Sequence, residues 1–364
     1  MPGSPSSSAQ AAPAERLGMI PSLDGLRAIA ILVVMAFHAS IPGFFGGRAG
    51  VDMFFVLSGF LITTLLLQEH AREGVIRLRA FYMRRILRLY PALIAALLGA
   101  IVLAALKVPI FHAGHGSLEN TLRGAPFVLL YTMNIARAAG WTGGGFIGHT
   151  WSLAIEEQFY LVWPIVVIAV MRRGNHRVLL GWLALGCAIT SAALRAGLDY
   201  EGIDGELLYN ATFSHVDGIF LGCAVGVLWC VRPDVIGRIA RPLVVAVAAI
   251  VCAVIIVIGQ SMNTYGYLLI VVATAVVLGH LLHDRSSRLS KALSHRAAVA
   301  IGKRSYGLYL YHWPIFLFIG IDTRPIILIA GFSLSFAAAW VSYAYIEQPF
   351  LRMKQHWASS ERST

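Results

Sequence analysis

The chain is a succession of apolar stretches separated by short polar turns. Segments opening near Leu26, Gly50, Tyr90, Thr121, Thr150, Val178, Asn210, Pro242, Thr264, Tyr306 and Pro325 each run to roughly 17–22 mostly apolar residues, about enough for a helix to cross a bilayer. The turns between them are charged unevenly. Arg72 to Arg88, Arg172 to Arg177, Arg232 to Arg241, Arg285 to Arg304 and the residues after Arg352 are basic, whereas Leu198 to Leu208 carries Asp199, Glu201, Asp204 and Glu206. Short basic loops stay on the cytoplasmic side. If every basic loop lies there, the segment from Thr121 to Arg137 cannot be a full crossing, because it would carry Arg172, Arg173 and Arg177 to the opposite face. The pattern therefore predicts an all-α, polytopic membrane helix bundle of about ten transmembrane helices with both termini cytoplasmic. The Thr121 segment becomes re-entrant or lateral. Gly140, Gly143, Gly144 and Gly145 follow it, and such irregular backbone is tolerated at membrane depth only where protein buries it. Eleven full crossings with a weaker charge bias is the alternative.

Composition agrees with this reading. A chain of 364 residues that is 58% hydrophobic and 13% charged, with a mean hydropathy of +0.72, is not a soluble domain. It is expected as a multi-pass protein of the cell membrane. The net charge of +11 resides in loops between spans, so it reads as topology, with the lipid bilayer as partner and no nucleic acid. Cys187, Cys223, Cys230 and Cys252 all fall in hydrophobic segments without metal-site spacing, so no metal is expected. Met1 to Arg16 is a Pro, Ser and Ala tract, which predicts a disordered tail at 1–19 and no cleavable signal. One domain follows at 20–351, with a cytoplasmic tail at 352–364. Any chemistry must reside inside the bundle.

The ionisable residues within the spans are the candidates for it, since burying charge in a bilayer is costly and usually marks a site. His38 lies eleven residues after Arg27. That separation advances a helix about 16 Å and returns it to within about 20° of the same face. The two side chains line one wall without touching, or His38 is a structural histidine bonded to a neighbouring helix. On the cytoplasmic side, Tyr82, Arg84, Arg85 and Arg88 precede the third span, and Arg85 and Arg88, three apart, can grip one phosphate group with forked donors. An ordinary contact with lipid headgroups is the other reading. Lys303 and Arg304 sit at the same level. From the opposite side come Asp52, then His149, Trp151, Glu156, Glu157 and Tyr160, then His215 and Asp217. Adjacent glutamates point about 100° apart on a helix, so at most one of Glu156 and Glu157 is expected at any given site. The carboxylates otherwise serve as salt-bridge partners. Gly218, Gly222 and Gly226 recur every four residues as a close-packing stripe. In the tenth candidate segment, Ser305, Leu308 and His312 share a face. His312 is either a polar wall of a tunnel or a structural histidine, and Glu347 is expected to pair with a nearby cation.

Six motifs in order, SLDGLRAIAILVVMAFH, GVDMFFVLSGFLI, FYMRRILRLYP, HTWSLAIEEQFYLVWP, SYGLYLYHWPI and YIEQPF, resemble the membrane-bound acyltransferase 3 family over about Pro21 to Phe350. The resemblance implies a ten-span O-acyltransferase that moves acetyl or longer acyl groups onto hydroxyls of polysaccharides, peptidoglycan, glycolipids or macrolides. It implies that Arg27 and His38 are the first-helix motif, with His38 essential. Arg85 and Arg88 match the family's arginine pair, and His149 and Glu156 fall in its histidine-to-glutamate block. Members often carry arginine where His215 stands, which leaves His215 without an inherited role. Many relatives also carry a fused esterase-like domain that this chain is too short to hold, so direct transfer to the acceptor is expected.

The residues suit that chemistry. A hydroxyl attacking a thioester needs a base, and histidine titrates near neutrality. His38 is the expected general base, with Glu156 or Asp52 the expected carboxylate on its other ring nitrogen. Acyl-CoA, most simply acetyl-CoA, is the expected donor. Donor binding is assigned to Arg27, Arg84, Arg85, Arg88, Tyr82, Lys303 and Arg304, with the phosphates on the arginine pair and the pantetheine arm running past Arg27, and acceptor binding to His149, Trp151, Tyr160, His312 and Asp217. A transporter or flippase with a midplane polar site is the competing reading, although the two halves share no motif.

Overall fold

The computed structural model describes residues 18–106, 117–174, 176–259 and 264–353; the tails assigned to 1–19 and 352–364 fall outside these except for 18–19 and 352–353. The described residues are helical, without strands. The first third holds α1 (Pro21–His38), α2 (Ala49–Glu73), α3 (Leu78–Leu106), α4 (Leu118–Leu129) and α5 (Met133–Ala138). A buried 3-10 turn, Gly145–Thr150, leads into α6 (Trp151–Met171), followed by α7 (Arg177–Tyr200), α8 (Gly205–Asn210) and α9 (Asp217–Val231). The remainder is α10 (Pro233–Ile239), α11 (Pro242–Ile258), α12 (Thr264–His283), α13 (Arg288–Leu293), α14 (Arg296–Lys303), α15 (Ser305–Ile319) and α16 (Pro325–Ser342). Local chemistry sets several ends. Pro21, Pro233, Pro242 and Pro325 occupy first-turn positions, where a missing N–H costs nothing. The Ser117 hydroxyl accepts the Asn120 N–H at 3.1 Å, and Gly74 ends α2 with φ of +68°.

Among the described residues, seven helices are long and apolar enough to cross a membrane, fewer than the roughly ten crossings expected from the sequence. The shortfall has local causes. Pro233 breaks what would be one long span into α9 and α10, bent by 119°, because proline cannot extend the helix behind it. Helix α11 has 17 residues and α15 has 15. The Thr121 segment is not one helix: α4 ends at Leu129, Tyr131 turns the chain with φ of +51°, and α5 restarts at Met133. The surface is apolar where a soluble protein would be polar. Leu161, Trp182, Leu243 and Ile326 are each at least 60% exposed, the arrangement expected when hydrocarbon is the solvent.

Two close contacts bring the site together. A Cβ on Gly59 would strike the Ile219 carbonyl, and one on Gly222 the Val56 carbonyl, so α2 and α9 touch backbone to backbone along the glycine stripe. A Cβ on Gly302 would likewise strike the Asp24 carbonyl, and one on Gly25 the Leu293 carbonyl. Helices α13 and α14 are thereby pinned on the start of α1. Because α15 begins directly after α14, it runs alongside α1.

Candidate active site

Arg27 and His38 both face α15. Arg27 Nε donates to Ser305 Oγ at 3.3 Å, and His38 Nδ1 lies 2.9 Å from His312 Nε2. His38 is the last residue of α1, not a mid-helix residue, and the chain turns away through Ser40 with φ of +56°. The two imidazoles are nearly parallel, 15° apart with centroids 5.1 Å apart, and Trp313 lies 4.7 Å from His38. His312 Nδ1 is 2.9 Å from the Leu308 carbonyl. A carbonyl only accepts, so His312 Nδ1 carries hydrogen, and with both rings neutral its Nε2 accepts from His38 Nδ1–H. The lone pair of His38 is then on Nε2, which makes no hydrogen bond among the described residues. His38 is thus oriented by a second histidine 274 positions away in sequence, where a carboxylate was expected.

His149 completes a trio. Its ring lies 5.5 Å from His312 and 5.3 Å from Tyr309. Both of its nitrogens are buried without a hydrogen bond of ordinary geometry among the described residues, although the Tyr309 and Leu310 carbonyls lie near the ring. Buried polar atoms left without partners are costly. Here they sit beside the candidate base.

A cavity of about 330 Å³ leads toward this trio and is walled by α1, α2, α3, α6 and α15. Arg27, Arg85 and Arg88 supply its cationic lining, Glu156, Glu157 and Tyr160 line it from α6, and it reaches Ser152 and Tyr309. Ser152 Oγ and Tyr309 Oη are 2.7 Å apart, and Tyr309 Oη donates to the His149 carbonyl at 2.5 Å. These two hydroxyls stand between the cavity and the histidines. Both glutamates line the cavity, against the expectation of one, because it wraps around the first half of α6. Glu156 accepts a short hydrogen bond from Ser58 on α2, while Glu157 and Tyr131 of the α4–α5 turn both line the cavity. Arg85 stacks on Tyr160, 3.5 Å from the ring centroid.

Other predicted residues are engaged elsewhere. Asp52 Oδ1 lies 2.9 Å from His215 Nε2 instead of reaching His38. His215 Nδ1 meets the Tyr209 carbonyl at 2.6 Å, and Trp151 and Tyr267 pack against that ring at 5.6 and 5.1 Å. Asp217 forms a two-pronged pair with Arg195 of α7 at 2.8 and 2.7 Å, with both side chains almost fully buried. Asp52, Trp151 and Asp217 therefore tie α2, α6, α7 and α9 together, apart from the cavity lining. Tyr82 donates to the Leu161 carbonyl at 2.8 Å. Arg304 stacks between Trp340 and Tyr343 at 4.1 and 4.7 Å, and Lys303 is exposed near Asp24. None of these three lines the cavity. Arg84 pairs with Glu69 at 3.2 Å. Glu347 makes no ion pair among the described residues; it is buried against Gly307 in the field of Arg88 and Arg304.

Sequence reasoning missed Arg195 and the Ser152–Tyr309 hydroxyl pair. An arginine inside an apolar span is itself a signal, and Arg195 carries it. The hydroxyls carry no comparable signal, since serine and tyrosine are common in packed helices. It also passed over Arg48, which bonds Glu206 at 3.2 Å and lies over Phe37 and Tyr209 at the end of the bundle that holds His38.

The family model described as an acyltransferase domain matches residues 20–346. The peptidoglycan O-acetyltransferase OatA of Listeria monocytogenes is 30% identical over 355 residues, covering 91% of this chain and 55% of its own length. The O-acetyltransferase OatA of Staphylococcus aureus is 30% identical over 350 residues, covering 91% of this chain and 57% of its own. The chain thus spans a little over half the length of the curated relatives it matches. No solved structure matches it. With a match running from the start of α1 to the end of α16, the chain belongs to the acyltransferase 3 family.

Proposed function

We propose that this protein is an integral-membrane O-acetyltransferase of the cell membrane, moving an acetyl group from cytoplasmic acetyl-CoA to a hydroxyl of a carbohydrate-containing acceptor. A polysaccharide, a glycolipid and a glycosylated macrolide all present such hydroxyls. The observation that carries the reading is a cavity lined by Arg27, Arg85 and Arg88 that runs to within one hydroxyl pair of a hydrogen-bonded histidine pair. A long thin donor with several phosphates and a distal thioester fits that sequence of groups. The names of the two relatives, both O-acetyltransferases, favour acetyl. In this reading the three short helices α9, α11 and α15 join the seven longer ones as ten crossings, with both termini cytoplasmic.

His38 Nε2 accepts the proton of the acceptor hydroxyl as its oxygen attacks the thioester carbonyl. The carbon–oxygen bond forms, the carbon–sulfur bond breaks, and the thiolate leaving group recovers the proton from His38. His312 fixes the tautomer of His38 and shares the charge of its imidazolium, as the third member of a catalytic triad does. His149, whose ring nitrogens make no hydrogen bond of ordinary geometry among the described residues, bonds the incoming hydroxyl or the thioester oxygen. Glu156 and Tyr160 shape the donor cavity.

Radiolabelled acetyl-CoA incubated with purified protein and a panel of glycan, glycolipid and macrolide acceptors tests the reading. Label on an acceptor hydroxyl is expected, and label reaching no acceptor in an extract of the producing cells refutes it. Within that assay, Arg85→Ala combined with Arg88→Ala is expected to raise KM for acetyl-CoA by about 10- to 100-fold, from loss of two charge-assisted contacts. KM for the acceptor should change far less. An equal rise in both would assign the pair to lipid or to general packing.

A further inference from the structure

A second cavity, also of about 330 Å³, opens beside the first and shares Leu61, Ile62, Leu65, Arg85 and Arg88 with it. The end of α2 and the start of α3 supply the rest of its charged lining, namely Glu69, Arg72, Glu73, Arg77 and Arg84. Five arginines against two glutamates leave an excess of three positive charges. The glutamates act as braces. Glu69 accepts from Arg84 Nη2 at 3.2 Å and from the Arg77 backbone N–H at 3.1 Å. Glu73 lies 3.6 Å from Arg77 Nε, and Arg72 Nε donates to the Gln68 carbonyl at 3.2 Å. These contacts fix the guanidinium groups without neutralising the cavity. A fixed, forked guanidinium cluster is built for phosphate oxygens.

The cations fall into two groups along the cavity. Arg84, Arg85 and Arg88 lie within about one turn of α3, with Arg85 and Arg88 at the junction of the two cavities and Arg84 in the second alone. Arg72 and Arg77 lie at the α2–α3 connection, and Arg77, immediately before α3, is seven positions, about 10 Å of helix rise, before Arg84. We infer that this second cavity binds the nucleotide end of the donor. The diphosphate sits on Arg84, Arg85 and Arg88, and the ribose phosphomonoester on Arg72 and Arg77. The inference rests on the acyl-CoA reading above and extends it: the pantetheine arm enters the first cavity at the shared arginines, while the terminal phosphate stays behind at the α2–α3 connection. Two separated anionic groups require two separated cation clusters. A phospholipid headgroup with a single phosphodiester uses only one.

The test is a pair of dissociation constants, for CoA and for dephospho-CoA, measured by calorimetry on the purified full chain in a neutral detergent. Wild type should prefer CoA by about tenfold or more, the worth of a charge-assisted phosphate contact. In Arg72→Gln combined with Arg77→Gln the ratio should fall toward one, and Arg72→Lys combined with Arg77→Lys should keep part of it. Arg72 is exposed, so Arg72→Gln alone gives the same readout if the double variant does not fold. Equal affinities in wild type, or an unchanged ratio in the glutamine variants, would overturn the subsite. Displacement of CoA by added phosphatidylglycerol, with no preference between the two nucleotides, would assign the cavity to lipid and overturn it as well. Failure of wild type to bind either nucleotide would instead sink the donor assignment itself.

Discussion

Replacing His38 with alanine is expected to lower kcat for acetyl transfer by about 100- to 10,000-fold, the usual contribution of a positioned general base. Folded protein should be recovered in full. His38 ends its helix and is only half-buried, so its removal opens no deep cavity and strands little besides His312 Nε2. The companion variant is His312→Ala. It leaves the His38 ring in place but removes the acceptor that holds hydrogen on Nδ1, so kcat should fall while KM for acetyl-CoA stays near wild type. Groups that act as a unit are strongly non-additive. His312→Ala made on top of His38→Ala should therefore cost almost nothing further. A full additional loss in that double variant would show that His312 acts independently of His38, and retained turnover in His38→Ala would remove the base assignment altogether.

Arg195→Ala is expected to cost about 3–5 kcal/mol of stability, the range for breaking a buried ion pair by removing one partner. The guanidinium meets both oxygens of Asp217 and also donates to the Ser214 carbonyl at 2.6 Å, with 2% of the side chain exposed. Without it, a carboxylate and a carbonyl are left buried and unmatched at the start of α9, beside the Asp52–His215 bond that holds α2. Lysine should not rescue the loss, since one ammonium cannot reproduce the two-pronged geometry. The measurement is the thermal midpoint of the detergent-solubilised protein, together with transfer per folded molecule. A large drop in midpoint with little change in turnover per folded molecule assigns the Arg195–Asp217 pair to architecture. A wild-type midpoint with lost turnover would return Asp217 to the substrate site.

These two expectations differ in how far the sequence alone reaches. His38 stands out in an apolar segment because ionisable groups are expensive there, and Arg27 falls on its face because eleven residues complete almost whole turns. Both statements depend only on local periodicity and hold in the structure, where both side chains turn to α15. The glycine stripe in α9 was legible for the same reason, and its close approach to α2 is seen at Gly59 and Gly222. Span lengths were less legible. Hydropathy averages over a window, whereas single residues such as Pro233 and Tyr131 decide where a helix breaks.

Partner choice was beyond the sequence. Asp52 and Glu156 were the neighbours expected for His38, and His312 was expected only as a tunnel wall or a structural histidine. Which one touches it depends on helices that meet across nearly three hundred residues, and on contacts such as Gly302 against Asp24 that set α15 beside α1. The same packing sends Asp52 to His215 and Asp217 to Arg195. It also closes the arginine-lined cavity at Ser152 and Tyr309. The sequence by itself determined the helical class, the membrane-crossing composition, the family and the list of costly polar residues, because each follows from local patterns of transfer free energy and motif order. Only the tertiary structure decided which of those residues meet, because a hydrogen bond depends on the relative placement of two helices, and that placement is set by the shapes packed between them.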